Sequence, residues 1–143
     1  MSTQKPFSKD IILIEDVEAA VVSIVNKMRE DVLHKMKRNG GVIGASGGID
    51  SSVCLALAAR AFGPEKILAV MLPEKDSSPE SEKLARDLAR IYGVEAIKED
   101  ITEALSGFRC YGRRDEAVSK VFPDYDPATH KMKIGIKQGV LFS

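Results

Sequence analysis

The sequence contains no tryptophan and only two cysteines, Cys54 and Cys110, among its 143 residues. Two cysteines are too few for the disulfide framework of a small secreted protein. No apolar run approaches the length of a membrane-spanning helix, and the first ten residues are polar. We therefore expect a protein without a membrane association, located in the cytoplasm.

An excess of positive charge is also missing, because 21 lysines and arginines balance 21 aspartates and glutamates. A protein dedicated to nucleic acid normally carries a basic excess, so we do not expect nucleic acid as a partner. A small anionic ligand remains compatible, since its site needs only local charge and backbone donors. The composition is 44% apolar and 29% charged, as in an ordinary globular domain, and residues 1–143 are predicted to form a single domain.

Apolar runs alternate with helical patterns along the chain. A long amphipathic helix is predicted first, because its apolar residues recur at steps of three and four. Such alternation predicts parallel βαβ units, and hence an α/β fold with a doubly wound parallel sheet and helices on both faces. The pattern degrades after Gly107, so we expect this sheet to be incomplete. The predicted helices cover residues 16–38, 52–62, 78–93 and 113–122, with a further short helix after a capping box at 100–103, and the predicted strands cover 42–45, 67–72 and 94–98.

The stretch between the first strand and its crossover helix carries the strongest functional signal. In open α/β sheets, ligands bind past the carboxyl end of a strand at such a turn. Two adjacent glycines let the backbone approach an anion, and serine hydroxyls and the amides of the helix start offer donors. We predict a phosphate-binding loop that consists of Gly44, Ala45, Ser46, Gly47, Gly48, Ile49, Asp50, Ser51 and Ser52.

This loop is not a Walker A motif, because no lysine stands at the required place, and the dinucleotide fingerprint GxGxxG is absent as well. Asp50 would repel a polyphosphate unless a divalent cation lay between them. Asp50 therefore predicts a Mg2+ site, since Mg2+ is bound through one or two protein carboxylates and phosphate oxygens. The alternative is a serine- and glycine-rich turn in which Asp50 caps the helix.

The residues SGGIDS resemble the pyrophosphate loop of the N-type ATP pyrophosphatases, whose fold is that of the adenine nucleotide alpha hydrolases. The resemblance implies that ATP is bound and cleaved between its α- and β-phosphates, with adenylation of a substrate oxygen. It implies phosphate-loop roles for Ser46, Gly47, Gly48, Asp50 and Ser51, with Asp50 as the metal ligand.

Two further segments resemble NAD synthetases within that superfamily. The stretch from Met71 to Ser81 is similar to their MPxxxSSPxS segment, and CYGRRDEAVSKVFPDY at Cys110–Tyr125 is similar to longer bacterial members. The resemblance implies ATP-dependent amidation of deamido-NAD to NAD, with ammonia as nitrogen source, in a homodimer. It also implies that the backbone at Met71 and Leu72 lines the adenine pocket, although strand packing explains these two side chains equally well.

NAD synthetases are considerably longer, and no counterpart of their remaining metal ligand, phosphate-binding lysines or nicotinate-binding residues is identified. The chain resembles the amino-terminal part of such an enzyme, so we expect it to bind nucleotide without completing the ligation alone, and we assign no catalytic residue. Two alternatives remain open. One is another adenylating enzyme with this loop, of the GMP synthetase or tRNA-modifying type, and the other is a catalytically silent nucleotide-binding or dimerisation module.

Several residues with chemical potential receive no role. Cys54 is expected to be a small core residue and Cys110 a free thiol. The two histidines lie at no metal-ligand spacing. Arg109, Arg113 and Arg114 fit either a phosphate contact or a solvated loop, and alternating lysines at 131–137 fit an edge strand.

Overall fold

The structure, a computed structural model, describes residues 13–130. The chain divides after Asp100 into two compact units. The first unit contains a sheet and three α-helices, and the second contains two helices, over their described residues. The edge strand predicted at 131–137 lies outside the described residues.

A three-stranded parallel sheet forms the centre of the first unit, with strands in the order β1-β2-β3. In register, Gly44 of β1 lies opposite Val70 of β2, and Val70 lies opposite Ile97 of β3. The prediction of an α/β fold with parallel strands is confirmed, with strand ends within one residue of those predicted. The strands are β1 at Gly41–Gly44, β2 at Ile67–Met71 and β3 at Glu95–Lys98.

Helices alternate with these strands as predicted. Ser78 caps α3 by accepting a hydrogen bond from the backbone N–H of Glu80, and Pro79 is its first residue, as the sequence predicts. No helix within residues 13–130 is both long and apolar enough to cross a membrane. The helices are α1 at Val17–Arg29, α2 at Ile49–Phe62, α3 at Pro79–Ile91, α4 at Thr102–Gly107 and α5 at Cys110–Val121.

The long first helix is only partly as predicted. After Arg29 the α-helix changes to a π-helical turn over Glu30–Lys35. Val21, Met28 and Val32 of the predicted stripe pack against the core with Val25, and because each π-turn holds more residues, the angular step changes before the last predicted residue, Met36. Val25 is buried, but Met36, predicted on the same stripe, is 65% exposed, and Val17 and Ile24 are also exposed.

Helix α2 packs on the sheet and on α1 through the core residues Leu55, Ala58, Ala59, Ala61 and Phe62. Arg29 of α1 supports this packing, since its guanidinium donates to the carbonyl oxygens of Ala61 and Arg60 at 2.8 and 3.0 Å. The prediction that Cys54 is a core residue is wrong, because the side chain lies on the outer face of α2 and is exposed. Apolar composition on every side of this helix did not reveal which side meets the sheet.

The two faces of the sheet are unequally covered. On β2, Ile67, Ala69 and Met71 are buried, whereas the alternating Leu68 and Val70 are only partly buried. Val42, which lies opposite Leu68 on the same face, is 67% exposed. Because side chains alternate along a strand, the buried core of the first unit lies on the face of Ala69.

The second unit is held by short polar contacts among its described residues. Arg114 bonds to Asp115 at 3.0 Å and Arg109 to Glu116 at 3.3 Å. The hydroxyl of Tyr125 donates to Asp115 at 3.3 Å. Two of the three arginines with an open role in the sequence are therefore paired with carboxylates of their own unit.

Candidate functional site

A cavity of about 410 Å3 lies where β1 and β2 end. In an open parallel sheet this edge, outside the carboxyl ends of the strands, is the place where ligands bind. Three segments supply its wall: the end of β1, the end of β2 and the start of α3. The lining residues are Gly44, Ala45, Ser46, Val70, Met71, Leu72, Pro73, Ser77, Ser78, Ser81 and Glu82.

Five of the predicted site residues line this cavity, namely Gly44, Ala45, Ser46, Met71 and Leu72. The two from β2 differ in burial. Met71 is 2% exposed, so its side chain packs in the core, whereas Leu72 is 53% exposed. The remaining predicted residues, 47–52, are not lining residues but continue the turn from Ser46 into α2.

Helix α2 begins at Ile49, three residues before the predicted start at Ser52. Gly48 is the N-cap residue and no side chain caps the helix. Asp50 lies inside the first turn, so the alternative in which Asp50 caps the helix is wrong. Backbone N–H groups in a first turn have no intrahelical partner, and the helix dipole adds partial positive charge there. These amides give the turn the capacity to bind an anion.

The serine hydroxyls close the turn on itself. Ser51 and Ser52 each donate to the carbonyl oxygen of Gly48, at 3.0 and 2.8 Å. The Ser51 hydroxyl also accepts from the backbone N–H of Ser46 at 3.2 Å, and the Ser46 hydroxyl accepts from that of Gly48 at 3.3 Å. Ser46 and Ser51 hydroxyls lie 3.0 Å apart. The hydroxyls predicted as anion donors therefore shape the turn, and the helix amides are the donors that remain for an anion.

Gly47 connects this turn to α3. Its φ is +77°, a left-handed conformation that a residue with a Cβ rarely adopts. A Cβ at this position would lie 2.5 Å from the carbonyl oxygen of Ser81 in the first turn of α3. Gly47 is thus required both by the bend of its own loop and by the close approach of the neighbouring helix.

The start of α3 supplies functional candidates that the sequence reasoning missed: Ser77, Ser78, Ser81 and Glu82. Ser77 accepts from the backbone N–H of Glu74 at 2.9 Å and closes the turn that follows β2. The order of the predicted strands and helices contains the signal for these residues. A helix predicted to begin directly after the second strand must start at the same sheet edge as the first loop.

Glu82 is the lining residue with the most defined electrostatics. Its Oε2 lies 2.8 Å from Nζ of Lys98 at the end of β3, and its Oε1 lies 2.9 Å from Nη2 of Arg86. Hydrogen bonds from Lys98 and then from Arg86 lower the pKa of the Glu82 carboxyl below its ordinary value of 4.5. The Glu82 carboxylate is therefore ionised at neutral pH, and its charge is offset by Lys98 and Arg86.

The described residues fit a Mg2+ ion that is coordinated mainly by water and by the phosphate oxygens of a bound molecule. Asp50 is exposed in the first turn of α2. No group of three or more His, Cys, Asp or Glu side chains among residues 13–130 could hold a metal by itself. Mg2+ does not need one, because it keeps several waters and binds one or two carboxylates together with phosphate oxygens. Asp50 fits this single-carboxylate role.

Several known proteins with similar sequences or folds are NAD synthetases. The NH(3)-dependent NAD(+) synthetase of Rhizobium rhizogenes is 45% identical over 125 residues, which cover 87% of this chain and 37% of that protein. The chain thus spans little more than a third of the length of this relative.

Solved structures agree with the sequence comparison. An NMN synthetase from Francisella tularensis superposes with a TM-score of 0.62 at 25% identity, covering 71% of this chain and 41% of that one. A glutamine-dependent NAD+ synthetase from Acinetobacter baumannii, in complex with ADP, gives a TM-score of 0.59 at 26% identity and covers 86% and 24%. Finally, a sequence model described as NAD synthase matches residues 20–133, which is most of the chain. This chain belongs to the NAD synthase family.

Proposed function

We propose that this chain binds ATP and Mg2+ as the nucleotide-binding part of an NAD synthetase. One observation carries the proposal: in a chain of this family, a cavity at the ends of β1 and β2 adjoins a glycine-rich turn that opens α2. The similarity to a synthetase solved in complex with ADP supports an adenine nucleotide as the ligand.

The two parts of the site suit the two ends of a nucleotide. The turn at 46–50 offers backbone amides and the positive end of α2 to the phosphates. The cavity wall at Val70, Leu72 and Pro73 offers apolar surface to the base. Mg2+ held by Asp50 would offset phosphate charge. The remaining groups of the turn orient the phosphates through fixed dipoles, which stabilise charge without rearranging.

The reaction that we propose for the whole enzyme is the amidation of deamido-NAD. ATP adenylates the nicotinate carboxylate, releasing pyrophosphate, and ammonia then displaces AMP to form the amide. We further propose a homodimer in the cytoplasm, with free ammonia as the nitrogen source because the relative at 45% identity is named as an ammonia-dependent enzyme. Since the chain spans 37% of that relative's length, we expect nucleotide binding by these residues rather than the complete ligation.

Isothermal titration of the chain with ATP in the presence of Mg2+ tests the proposal. We expect binding that depends on Mg2+ and that weakens by about tenfold or more in Asp50→Asn, because the phosphates lose their bridged carboxylate. Asp87→Asn, which changes a half-buried aspartate of α3 paired with Arg90, is the matched control and should bind as the unchanged chain does. No binding of ATP, or equal loss in both variants, would contradict the proposal.

A second measurement separates the reaction from its alternatives. AMP release is followed in mixtures of ATP, ammonia and either deamido-NAD or nicotinate mononucleotide, the latter because one structural neighbour is named an NMN synthetase. AMP release only with the mononucleotide, or only with an unrelated acceptor such as a tRNA base, would replace the proposed substrate. ATP binding without AMP release from any acceptor fits the binding role that we propose for this chain.

A further inference from the structure

The two helices that connect the strands of the sheet lie on one of its faces. The crossovers from β1 to β2 and from β2 to β3 run in the same direction, and right-handed crossovers then place α2 and α3 on the same side. These helices bury Ala69 completely, and α1 joins the same core through Val25. All-parallel sheets occur almost only with both faces covered, so the opposite face is expected to have an occupant.

This opposite face, called the open face below, is mostly apolar. Its residues lie side by side in the register of the strands and are Val42, Gly44, Leu68, Val70, Glu95 and Ile97. Val42 is 67% exposed, and the other apolar side chains of the face are only partly buried. A groove of about 570 Å3 runs past Val42 and Leu68, and its charged lining residues are Arg38, Glu65, Lys66 and Glu95. An apolar centre with a polar rim is typical of a protein interface.

We infer that the open face is the docking surface for the part of an NAD synthetase that lies outside the segment matched by this chain. The relative from Rhizobium rhizogenes is matched over 37% of its length, so nearly two thirds of that protein is available as a covering layer. The structural neighbours show the same relation, since this chain covers 41% and 24% of them. The occupant is therefore a folded segment of the same enzyme with an apolar side toward Val42.

The open face also reaches the proposed nucleotide site. Gly44 and Val70 belong to this face and line the cavity at the ends of β1 and β2. A layer docked on the face therefore extends the wall of the cavity, a step that rests on the proposed binding of ATP there. ATP that contacts both parts binds the docked form better, so docking and ATP binding are expected to strengthen each other.

Co-expression tests the docking. This chain, carrying a purification tag, is produced together with the segment of the Rhizobium rhizogenes relative outside the match, and the captured segment is quantified. We expect capture by the unchanged chain and about tenfold less by Val42→Lys, because a lysine at the centre of the interface buries an unpaired charge. Ile91→Lys is the matched control, since Ile91 at the end of α3 is 74% exposed, and it should capture the segment normally. Both isolated variants should keep the urea midpoint of the unchanged chain, as surface substitutions do.

The outcomes separate the inference from the proposed function. Equal capture by the unchanged chain and Val42→Lys, or no capture of a soluble segment, overturns the inference. Self-association of the isolated chain that Val42→Lys abolishes in sedimentation also overturns it, because the face would then belong to a second copy. ATP affinity is expected to be about tenfold higher in the complex than in the chain alone, and equal affinities overturn the link to the cavity. Absence of ATP binding in both overturns the proposed function and leaves the docking in place.

If the segment does not accumulate in soluble form, it is joined covalently to the chain. Val42→Cys, in a background that carries Cys54→Ser and Cys110→Ser, is then treated with a thiol reagent, and labelling is followed by peptide mass. Labelling should be about tenfold slower in the joined protein than in the chain alone, because the docked layer blocks access to the thiol. Ile91→Cys should be labelled at the same rate in both, and an equal rate for Val42→Cys overturns the inference.

Discussion

The two turns that follow β1 and β2 lie at the same sheet edge and are built in different ways. The first passes from Gly44 into α2 within a few residues, has no side-chain cap, and closes through hydroxyls that bond to its own backbone. The second is longer, is closed by Ser77, and ends in a helix that Ser78 caps. They meet where Gly47 approaches Ser81.

The two turns differ in which backbone groups they leave for a ligand at the proposed nucleotide site. Leaving α2 uncapped keeps its first-turn amides for an anion, since a capping side chain would use one of them. In α3 the Ser78 hydroxyl uses the N–H of Glu80 in this way and fixes the helix start. The first turn is thus suited to binding an anion, and the second to fixing the start of α3.

The largest effect is expected at the contact between the two turns. Gly47→Ala should destabilise the fold by about 3 kcal/mol, because it adds left-handed strain to a steric overlap with backbone. Gly48→Ala is the matched control, since Gly48 has an ordinary φ of −83° and an added Cβ would meet only the Ser46 hydroxyl, at 3.3 Å. Urea denaturation measures both. Equal losses of the free energy of unfolding would show that the two turns do not depend on this contact.

A smaller effect is expected from the cap of the second turn. Ser78→Ala should lower the free energy of unfolding by about 1 kcal/mol, the usual cost of losing an N-cap hydroxyl. The affinity for ATP with Mg2+ should change little, because this hydroxyl bonds to its own helix. Ser119→Ala, which removes a hydroxyl bonded to the Asp115 carbonyl within α5, is a suitable control. A loss of affinity larger than the loss of stability would place Ser78 in direct contact with the nucleotide.

The two turns also differ in how far the sequence predicts them. The first was recognised because its residue types are unusual in any strand-to-helix turn, and the order SGGIDS resembles one family. Its hydrogen bonds were not predictable: the helix starts at Ile49, and the serines bond inward rather than toward a ligand. The second turn uses common residues, so only topology places Glu82 at the site.

Outside the two turns, the spacing of apolar residues predicts where helices and strands lie better than it predicts which side of each helix is buried. Strand ends and the N-cap at Ser78 follow from local residue types and were predicted. The exposure of Cys54 and Met36 depends on which side of a helix meets the sheet and on a change of helical pitch after Arg29. Both are set by tertiary packing, which apolar spacing in a single sequence does not encode.

The smallest effect is expected from the ion pair that ties α3 to β3. Lys98 lowers the pKa of Glu82 below 4.5, so the bond stabilises the fold above that pH and its contribution is lost as the pH falls through the lowered value. Thermal unfolding of Lys98→Met should therefore occur at a lower temperature than that of the unchanged chain near pH 7, and the difference should close as the pH falls through the lowered pKa of Glu82. Lys83→Met, which removes an exposed lysine of α3, controls for net charge and should show no such closure. If the difference in unfolding temperature between Lys98→Met and the unchanged chain persists at low pH, Lys98 acts through the packing of its aliphatic stem and not through the ion pair. The position of the second turn would then depend on the Ser78 cap and on the contact with Gly47.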